Sequence, residues 1–241
     1  MGKREPLLTE EFFVNRLAYL DRIVAERNER LANEPEVYTH PKELLWSNFR
    51  GRYQQIFLGY SLDEDVPRLA QRFPAVVETY EIYLRDKEAV PTDLADLDEY
   101  VVSLWLVSFA ILFKVDDDLW KRLLACIGNE GRDALFEALV ATRSPNRKKA
   151  TGLLHAAIFQ PLYDAIAADA KSRDALVKRY LKAWYKALKP TYWVDSHKGP
   201  KGGGFFGYWA VEVAGVVQAF GMDDAGWRDM PYYPADLVTR A

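Results

Sequence analysis

Hydrophobic side chains recur every three to four residues along almost the whole chain, which is the spacing of one face of an α-helix. In the first such segment Phe13, Leu17, Leu20 and Val24 form one stripe after Thr9, a residue type favoured at helix N-caps. No stretch alternates apolar and polar residues over the length of a strand, and no hairpin signal appears. The pattern predicts an all-α fold, a compact bundle of roughly eight to ten helices with an extended C-terminal tail.

Prolines and caps divide this pattern into elements. Pro74 falls inside a helical segment and predicts a kink or a break there, and Pro161 is expected to break a later helical segment. Asp93 is expected to cap the central helix, whose apolar run from Tyr100 to Phe113 is too short to span a bilayer. The last long helix is expected in "FGYWAVEVAGVVQAFGMDD", and the proline- and aromatic-rich tail after it is expected to lie extended over the body.

The chain is expected to form an N-terminal helical region at 8–115 and a C-terminal helical region at 116–241, packed as one compact unit. Its one cysteine, Cys126, lies on an apolar helix face and is expected to be a buried, inert thiol. The first residues contain no apolar stretch long enough for a signal peptide. These features predict a cytoplasmic protein that does not enter a membrane.

Charge is unevenly distributed although the formal net charge is only −3. Between Arg143 and Lys201 the sequence contains thirteen Lys or Arg residues and four Asp residues, a net charge of +9. The rest of the chain therefore has a net charge of −12. The acidic residues cluster at Asp63–Asp65, Asp93–Glu99 and Asp116–Asp118. Carboxylates near helix starts interact favourably with the helix dipole, and an exposed acidic edge can also hold a basic partner.

Lysines in one helical segment, Lys178, Lys182, Lys186 and Lys189, form a basic stripe. The stripe is interpreted as the solvated face of an amphipathic helix, and the alternative is a surface that binds nucleic-acid phosphates.

The segment "YWVDSHKGPKGGGFFGYW" concentrates the residues that most resemble a chemical site. Gly202, Gly204 and Gly207 fit a Gly-x-Gly-x-x-Gly pattern, but no strand precedes it, and a nucleotide fingerprint requires one. The glycines are therefore expected to permit a tight reversal between two helices. Asp195, Ser196 and His197 are consecutive and cannot all point at one atom as a catalytic triad must. The histidine and cysteine spacings match no metal motif, so no metal and no cofactor are expected.

Glu212 is a carboxylate on an otherwise apolar helix, where burial is costly unless partners are present. His197, Lys198 and the tyrosine hydroxyls of the tail are the expected partners. One hypothesis is a structural clasp, in which Asp195, His197 and Glu212 tie the loop to the last helix. The other is a general base with a raised pKa.

Three C-terminal segments, "PTYWVDSHKG", "GYWAVEVAGVVQAFGMDD" and "RDMPYYPADLV", resemble the C-terminal region of the PoNi family of bacterial immunity proteins. The segments "FFVNRLAYLDRIVAERNE" and "RYQQIFLGYSLDEDV", with the central hydrophobic helix, resemble that family's N-terminal region. The residues that carry the resemblance, here called the motif residues, are Tyr192, Trp193, Asp195, His197, Lys198, Tyr208, Trp209, Glu212, Tyr232, Tyr233, Pro234 and Asp236. The resemblance implies an all-helical, cytoplasmic protein that binds and neutralises a PoNe-type DNase toxin, with neither catalysis nor a cofactor.

Recognition should vary between toxin pairs, so the motif residues are assigned to the architecture and the acidic edges to contact with the toxin. The expected contact residues are Asp63, Glu64, Asp65, Asp116, Asp117 and Asp118. The sequence thus predicts an immunity protein that occludes a nuclease toxin with the help of charge and does not itself bind nucleic acid. The alternatives are a hydrolase-like enzyme using an Asp195, His197 and Glu212 cluster, and a helical nucleic-acid-binding protein using the lysine stripe.

Overall fold

The computed structural model describes residues 3–34 and 37–239, and within these ranges the ordered elements are helices. The α-helices are α1 (Glu10–Asn33), α2 (Lys42–Ser61), α3 (Val66–Ala70), α4 (Phe73–Leu84), α5 (Leu97–Leu112), α6 (Asp117–Ile127), α7 (Ala134–Ala141), α8 (Ala156–Ala167), α9 (Ala170–Ala187) and α10 (Val211–Ala219). Short 3₁₀ turns lie at Ser196–Lys198, Pro200–Gly202 and Ala235–Leu237. The all-α prediction is confirmed.

The chain forms two compact units, and each is assembled from separate stretches of sequence. The first unit comprises Met1–Pro91, Asp116–Cys126 and Ser196–Gly207. The second unit comprises Thr92–Val115, Ile127–Asp195 and Tyr208–Ala241.

In the first unit α2 packs against both α1 and α4. Gly51 permits close approach to α1, because a Cβ atom there would lie 3.1 Å from Val24. On the other side, the rings of Phe49 and Tyr80 stack with centroids 4.1 Å apart and join α2 to α4. Thr9 caps α1 as predicted, with its side chain accepting from the N–H of Phe12 at 3.2 Å.

In the second unit α5 is buried at every position from Tyr100 to Leu112, as expected of the central helix. It packs against α10, where Gly215 lies against Ser108 so closely that a larger residue would collide with the serine side chain. Helices α8 and α9 form a second packed pair. No helix in the described part of the chain combines the length and apolar content needed to cross a bilayer.

The predicted N-cap of the central helix is wrong by one turn. Helix α5 begins at Leu97, and the N-cap is Asp96, whose side chain accepts from the N–H of Glu99 at 3.0 Å. Asp93 lies before the helix, where its own N–H donates to Glu99 Oε2 at 2.6 Å. Both aspartates are suitable caps by residue type, so only the first-turn geometry distinguishes them.

The two prolines behave differently. The break at Pro74 is confirmed, because α3 ends at Ala70 and the proline occupies the first turn of α4. The break at Pro161 is wrong, because α8 continues through it. A proline removes one backbone hydrogen bond, and here the buried residues Phe159 and Leu162 hold the surrounding turns in place.

The last helix is shorter than predicted. Helix α10 begins at Val211, so Tyr208 and Trp209 precede it instead of lying on its face. The tail is also more compact than the expected extended segment, because residues after Gly221 form turns and a 3₁₀ helix. Trp227, Tyr233 and Leu237 are buried, so the aromatic tail residues add to the core.

Candidate functional site

Glu212 lies in the first turn of α10 and is buried, with 1% of its surface exposed. Its carboxylate accepts three side-chain hydrogen bonds. Tyr180 donates its hydroxyl to Oε1 at 2.8 Å and Trp184 donates its indole N–H to the same oxygen at 2.6 Å. The indole of Trp105, on α5, donates to Oε2 at 3.2 Å. The carboxylate therefore connects three helices of the second unit.

Burial raises the pKa of Glu212 above its ordinary value, and the hydrogen bonds from Tyr180, Trp184 and Trp105 act in the opposite direction. The pKa of Tyr180 is also raised, first by burial and then by the adjacent glutamate. Both groups therefore favour their neutral forms more than they do in water. Perturbed pKa values mark functional sites and buried structural networks alike, so accessibility decides between them.

The partners predicted for Glu212 were wrong. The buried carboxylate of Glu212 does have hydrogen-bond partners, as its apolar neighbours predict, but the donors come from α5 and α9. Tyr180 and Trp184 are four residues apart on α9, so they occupy one helical face. The sequence does contain a signal for these donors. Tyr180 and Trp184 lie on the apolar face of their helix, and a buried hydroxyl or indole N–H needs an acceptor.

Asp195 and Tyr232 adopt left-handed backbone conformations, with φ values of 64° and 69°. Both are held by Tyr185 of α9, which donates its hydroxyl to Asp195 Oδ1 at 2.7 Å. The ring of Tyr185 also stacks with that of Tyr232 at 5.7 Å and meets Tyr208 edge-on at 4.9 Å. Such conformations persist where surrounding contacts fix them. Motif residues thus form a second cluster within the second unit.

The remaining motif residues of the second unit are mostly part of its interior. Trp193 is buried against the indoles of Trp105 and Trp184, with centroids at 5.2 and 5.4 Å. Tyr233 donates its hydroxyl to buried Asp224 at 3.0 Å. Trp209 and Pro234 are also buried, while Tyr192 and Asp236 are exposed.

His197 and Lys198 belong to the first unit, in the loop Ser196–Gly207. The ring of His197 lies 5.8 Å from that of Phe205. Gly202 has φ +80°, and a Cβ atom there would lie 2.5 Å from the ring of Phe12. Gly203 and Gly207 also have positive φ values, which glycine adopts without strain, whereas Gly204 is not among the described glycines with positive φ.

The three residues of the acidic run Asp63–Asp65 make different contacts. Glu64 forms a bidentate ion pair with Arg72, and its side chain is only 7% exposed. Asp65 caps α3 by accepting from the N–H of Arg68 at 3.0 Å. Asp63 is exposed and pairs with Arg4 at 2.9 Å.

The run Asp116–Asp118 is exposed at all three positions. Asp116 accepts from the N–H of Leu119 at 2.8 Å and so supports the start of α6. The side chain of Asp118 is 83% exposed and lies 3.8 Å from Arg122. Arg122 is held by a bidentate pair with Glu81 of α4, at 2.8 and 2.9 Å, which lowers the pKa of that glutamate.

The lysine stripe is only partly as predicted. Lys178 is half-buried and pairs with Asp174 at 2.8 Å. Lys182, Lys186 and Lys189 are exposed, as expected of a solvated face. Cys126 is buried, and burial raises the pKa of its thiol to about 12. The structure therefore agrees with an inert cysteine.

No group of three or more His, Cys, Asp or Glu side chains that could hold a metal ion occurs among residues 3–34 and 37–239.

Comparison with known proteins identifies a family that the chain matches. Residues 4–125 match the family model described as "PoNe immunity protein (PoNi), N-terminal". Residues 131–237 match the model described as "PoNe immunity proteins (PoNi), C-terminal". No curated protein matches the chain in a sequence search.

A similar fold occurs in the crystal structure of protein PA2201 from Pseudomonas aeruginosa. The two chains superpose with a TM-score of 0.73 at 14% sequence identity. The match covers 98% of this chain and 89% of the other. At this level of identity the likeness concerns the fold.

The two family matches together span nearly the whole chain, including the aromatic network around Glu212 and the acidic start of α6. The chain therefore belongs to the PoNe immunity protein (PoNi) family.

Proposed function

We propose that this immunity protein binds a cognate PoNe-type DNase toxin in the cytoplasm of the cell that makes it, and covers the surface with which the toxin holds DNA. The observation that carries the proposal is the family match over both halves of the chain. An immunity protein of this family acts through a toxin partner, so the remaining question is which surface of this chain contacts it.

The charge of the partner favours an acidic contact surface. A nuclease holds DNA by presenting cations to the phosphate backbone. An acidic protein surface complements those cations, speeds association and competes with DNA for the same groups. The exposed carboxylates of the first unit supply such a surface at two runs. Their exposed members are Asp63, Asp65, Asp116, Asp117 and Asp118.

Glu64 differs from Asp63 and Asp65 in its exposure. Its side chain is almost fully covered and both carboxylate oxygens face Arg72. A partner's cation would have to displace Arg72, which would leave a partly buried arginine without its carboxylate partner. We therefore assign Glu64 to the architecture and retain the exposed residues as toxin contacts.

The start of α6 has the character of a contact region. Asp118 projects into solvent, while the neighbouring Arg122 is held by Glu81. Ile82, the residue after Glu81 in α4, is an exposed apolar side chain. Binding surfaces combine such apolar anchors with charges at their edges.

The geometry around Glu212 supports an architectural role for the motif residues in place of catalysis. Glu212 has almost no exposed surface, and both oxygens accept hydrogen bonds from rings of the core. Asp195 accepts from a different donor, Tyr185. A general base must reach the proton that it abstracts, and this arrangement encloses the carboxylate.

Co-expression in a bacterial host tests the proposed function. The gene adjacent to the immunity gene is expressed with and without this chain, and survival is scored before co-purification. Rescue accompanied by a stable complex is the expected result. Killing that continues in the presence of folded immunity protein, with nothing co-purifying, would refute the proposed function for that pair.

The same complex allows a test of the charge mechanism. Association of toxin and immunity protein is measured by stopped flow at increasing salt. The association rate constant should fall as ionic strength rises, because salt screens attraction between exposed charges. A rate that does not respond to salt would contradict charge-assisted binding.

A further inference from the structure

An open cavity of about 420 Å³ lies at the C-terminal end of α10, within the second unit. Its lining comes from the last turns of α10, the turn from Gly221 to Ala225, and Val238 with Thr239. The N–H of Thr239 donates to Gln218 Oε1 at 2.9 Å, which holds this last segment beside the helix. The cavity volume is within the range of ordinary ligand pockets.

The chemical lining is amphipathic. Val217, Met222 and Val238 provide apolar surface, while Gln218 and Asp223 provide polar groups. Asp223 is exposed and accepts one hydrogen bond, from the N–H of Ala225 at 3.0 Å. None of the described residues that line the cavity carries a positive charge.

Asp224, in the same turn, differs from Asp223 because its carboxylate has hydrogen-bond donors from side chains. It is buried and accepts hydrogen bonds from Arg228 at 2.5 Å and from the hydroxyl of Tyr233 at 3.0 Å. Asp223, one residue earlier, has no such cation in the described part of the chain. Among the described residues, the cavity therefore presents one carboxylate without a paired cation, beside apolar surface.

We propose that this cavity binds an arginine or lysine side chain of the cognate toxin. Such side chains have an apolar stem and a charged head, and they place the stem on apolar surface while the head meets a charge. The stem would contact Val217, Met222 and Val238, and the head would form a charge-assisted hydrogen bond with Asp223. Arginine in a pocket is a common interface anchor. This inference rests on the proposed function, since it takes the toxin as the source of the side chain.

A small probe tests the cavity without the toxin. The full chain is titrated with N-acetyl-arginine methylamide while backbone amide shifts are followed by ¹⁵N NMR, and N-acetyl-citrulline methylamide is the neutral, matched control. Saturable shifts centred on Gln218, Asp223 and Ala225, with at least about tenfold weaker binding of citrulline, are expected. Absent shifts at these residues, or equal binding of the two probes, would overturn the proposal.

Two variants identify the group responsible. Asp223→Asn should lose most arginine binding, whereas Asp229→Asn, which changes an exposed aspartate outside the lining, should retain it. Unchanged binding by Asp223→Asn would contradict the role of that carboxylate.

Toxin affinity then separates this inference from the proposed function. Asp223→Asn and Ala225→Trp, which fills the cavity without changing charge, should each weaken toxin binding about tenfold, or 1.4 kcal/mol. Thermal melts verify that both variants are folded. If wild type and both variants bind the toxin equally, the cavity proposal fails and the immunity function stands. If the wild-type chain binds no toxin, the proposed function and this toxin contact fail together, even where the arginine probe binds.

Discussion

Glu212 and Asp118 carry the same functional group in opposite surroundings. Glu212 is 1% exposed and accepts three hydrogen bonds from aromatic donors. The side chain of Asp118 is 83% exposed, with Arg122 3.8 Å away. The first carboxylate is committed to its own core, while the second remains available to another molecule. Environment, and not the presence of a charge, separates the residues that support the core from those proposed to contact the toxin.

The energetic consequence differs as much as the environment. Removing a buried acceptor leaves its donors without partners in a medium that cannot solvate them. Removing an exposed carboxylate changes stability little, because surface ion pairs contribute between about 0 and 1 kcal/mol. Substitutions in the two regions should therefore affect different observables: the free energy of unfolding for Glu212, and toxin affinity for Asp118.

The largest expected effect comes from Glu212→Ala. It leaves the indoles of Trp105 and Trp184 and the hydroxyl of Tyr180 without an acceptor, so the free energy of unfolding should fall by about 3–5 kcal/mol. Urea denaturation measures this loss. Glu212→Gln, which keeps one acceptor oxygen, is the matched variant and should lose less. A fall in the free energy of unfolding below about 0.5 kcal/mol for the alanine variant would contradict the assignment of Glu212 to the core.

A second, smaller loss is expected in the glycine loop of the first unit. Gly202→Ala must place a Cβ at φ +80° and 2.5 Å from Phe12, so it should cost about 2–3 kcal/mol. Gly204→Ala is the matched control, because nothing lies within 4 Å of the added atom. Thermal unfolding of the two variants provides the measurement. Equal stability would contradict the structural role of the loop.

The pH dependence of stability sharpens the account of Glu212. Its folded-state pKa is raised, so the neutral acid is favoured in the folded protein. The stability this provides is present below the unfolded pKa of about 4.5 and is lost as pH rises through the folded value. The advantage of wild type over Glu212→Gln should therefore shrink above pH 4.5, by at most about 1.4 kcal/mol per pH unit. Denaturation of both proteins from pH 4 to 8 tests this. A stability difference between wild type and Glu212→Gln that grows with pH would contradict a raised pKa for Glu212.

The smallest of these effects is expected for Tyr185→Phe. The variant keeps the stacked ring and loses the hydrogen bond to Asp195, so the free energy of unfolding should fall by about 1 kcal/mol. Differential scanning calorimetry can resolve a change of this size. An unchanged melting temperature would show that the left-handed conformation of Asp195 does not depend on that bond.

Much of the fold was predictable because helical periodicity depends on local sequence. The stripe of α1, its cap at Thr9 and the break at Pro74 all follow from the chemistry of adjacent residues. The errors arose where two local solutions were available. Asp93 and Asp96 both suit a cap, and Pro161 is tolerated because the packing of its neighbours maintains α8.

The site was less predictable because its contacts join distant parts of the sequence. Burial of Glu212 follows from its apolar neighbours, but its donors lie 107, 32 and 28 residues away. Likewise, sequence shows that Asp63, Glu64 and Asp65 are adjacent, but not that Arg72 encloses only the middle one. Composition identifies charged residues, and the tertiary structure determines which of them remain available.

The most direct test of the central claim compares toxin affinity for two double charge reversals. Asp117→Lys with Asp118→Lys changes the start of α6 while leaving the supporting Asp116 intact. Glu29→Lys with Asp229→Lys makes the same change of charge at exposed positions elsewhere. Calorimetric titration with the cognate toxin should show at least about tenfold weaker binding for the first pair, and a change below about threefold for the second. Equal affinities of the two variants, both folded, would contradict the assignment of toxin recognition to this acidic surface.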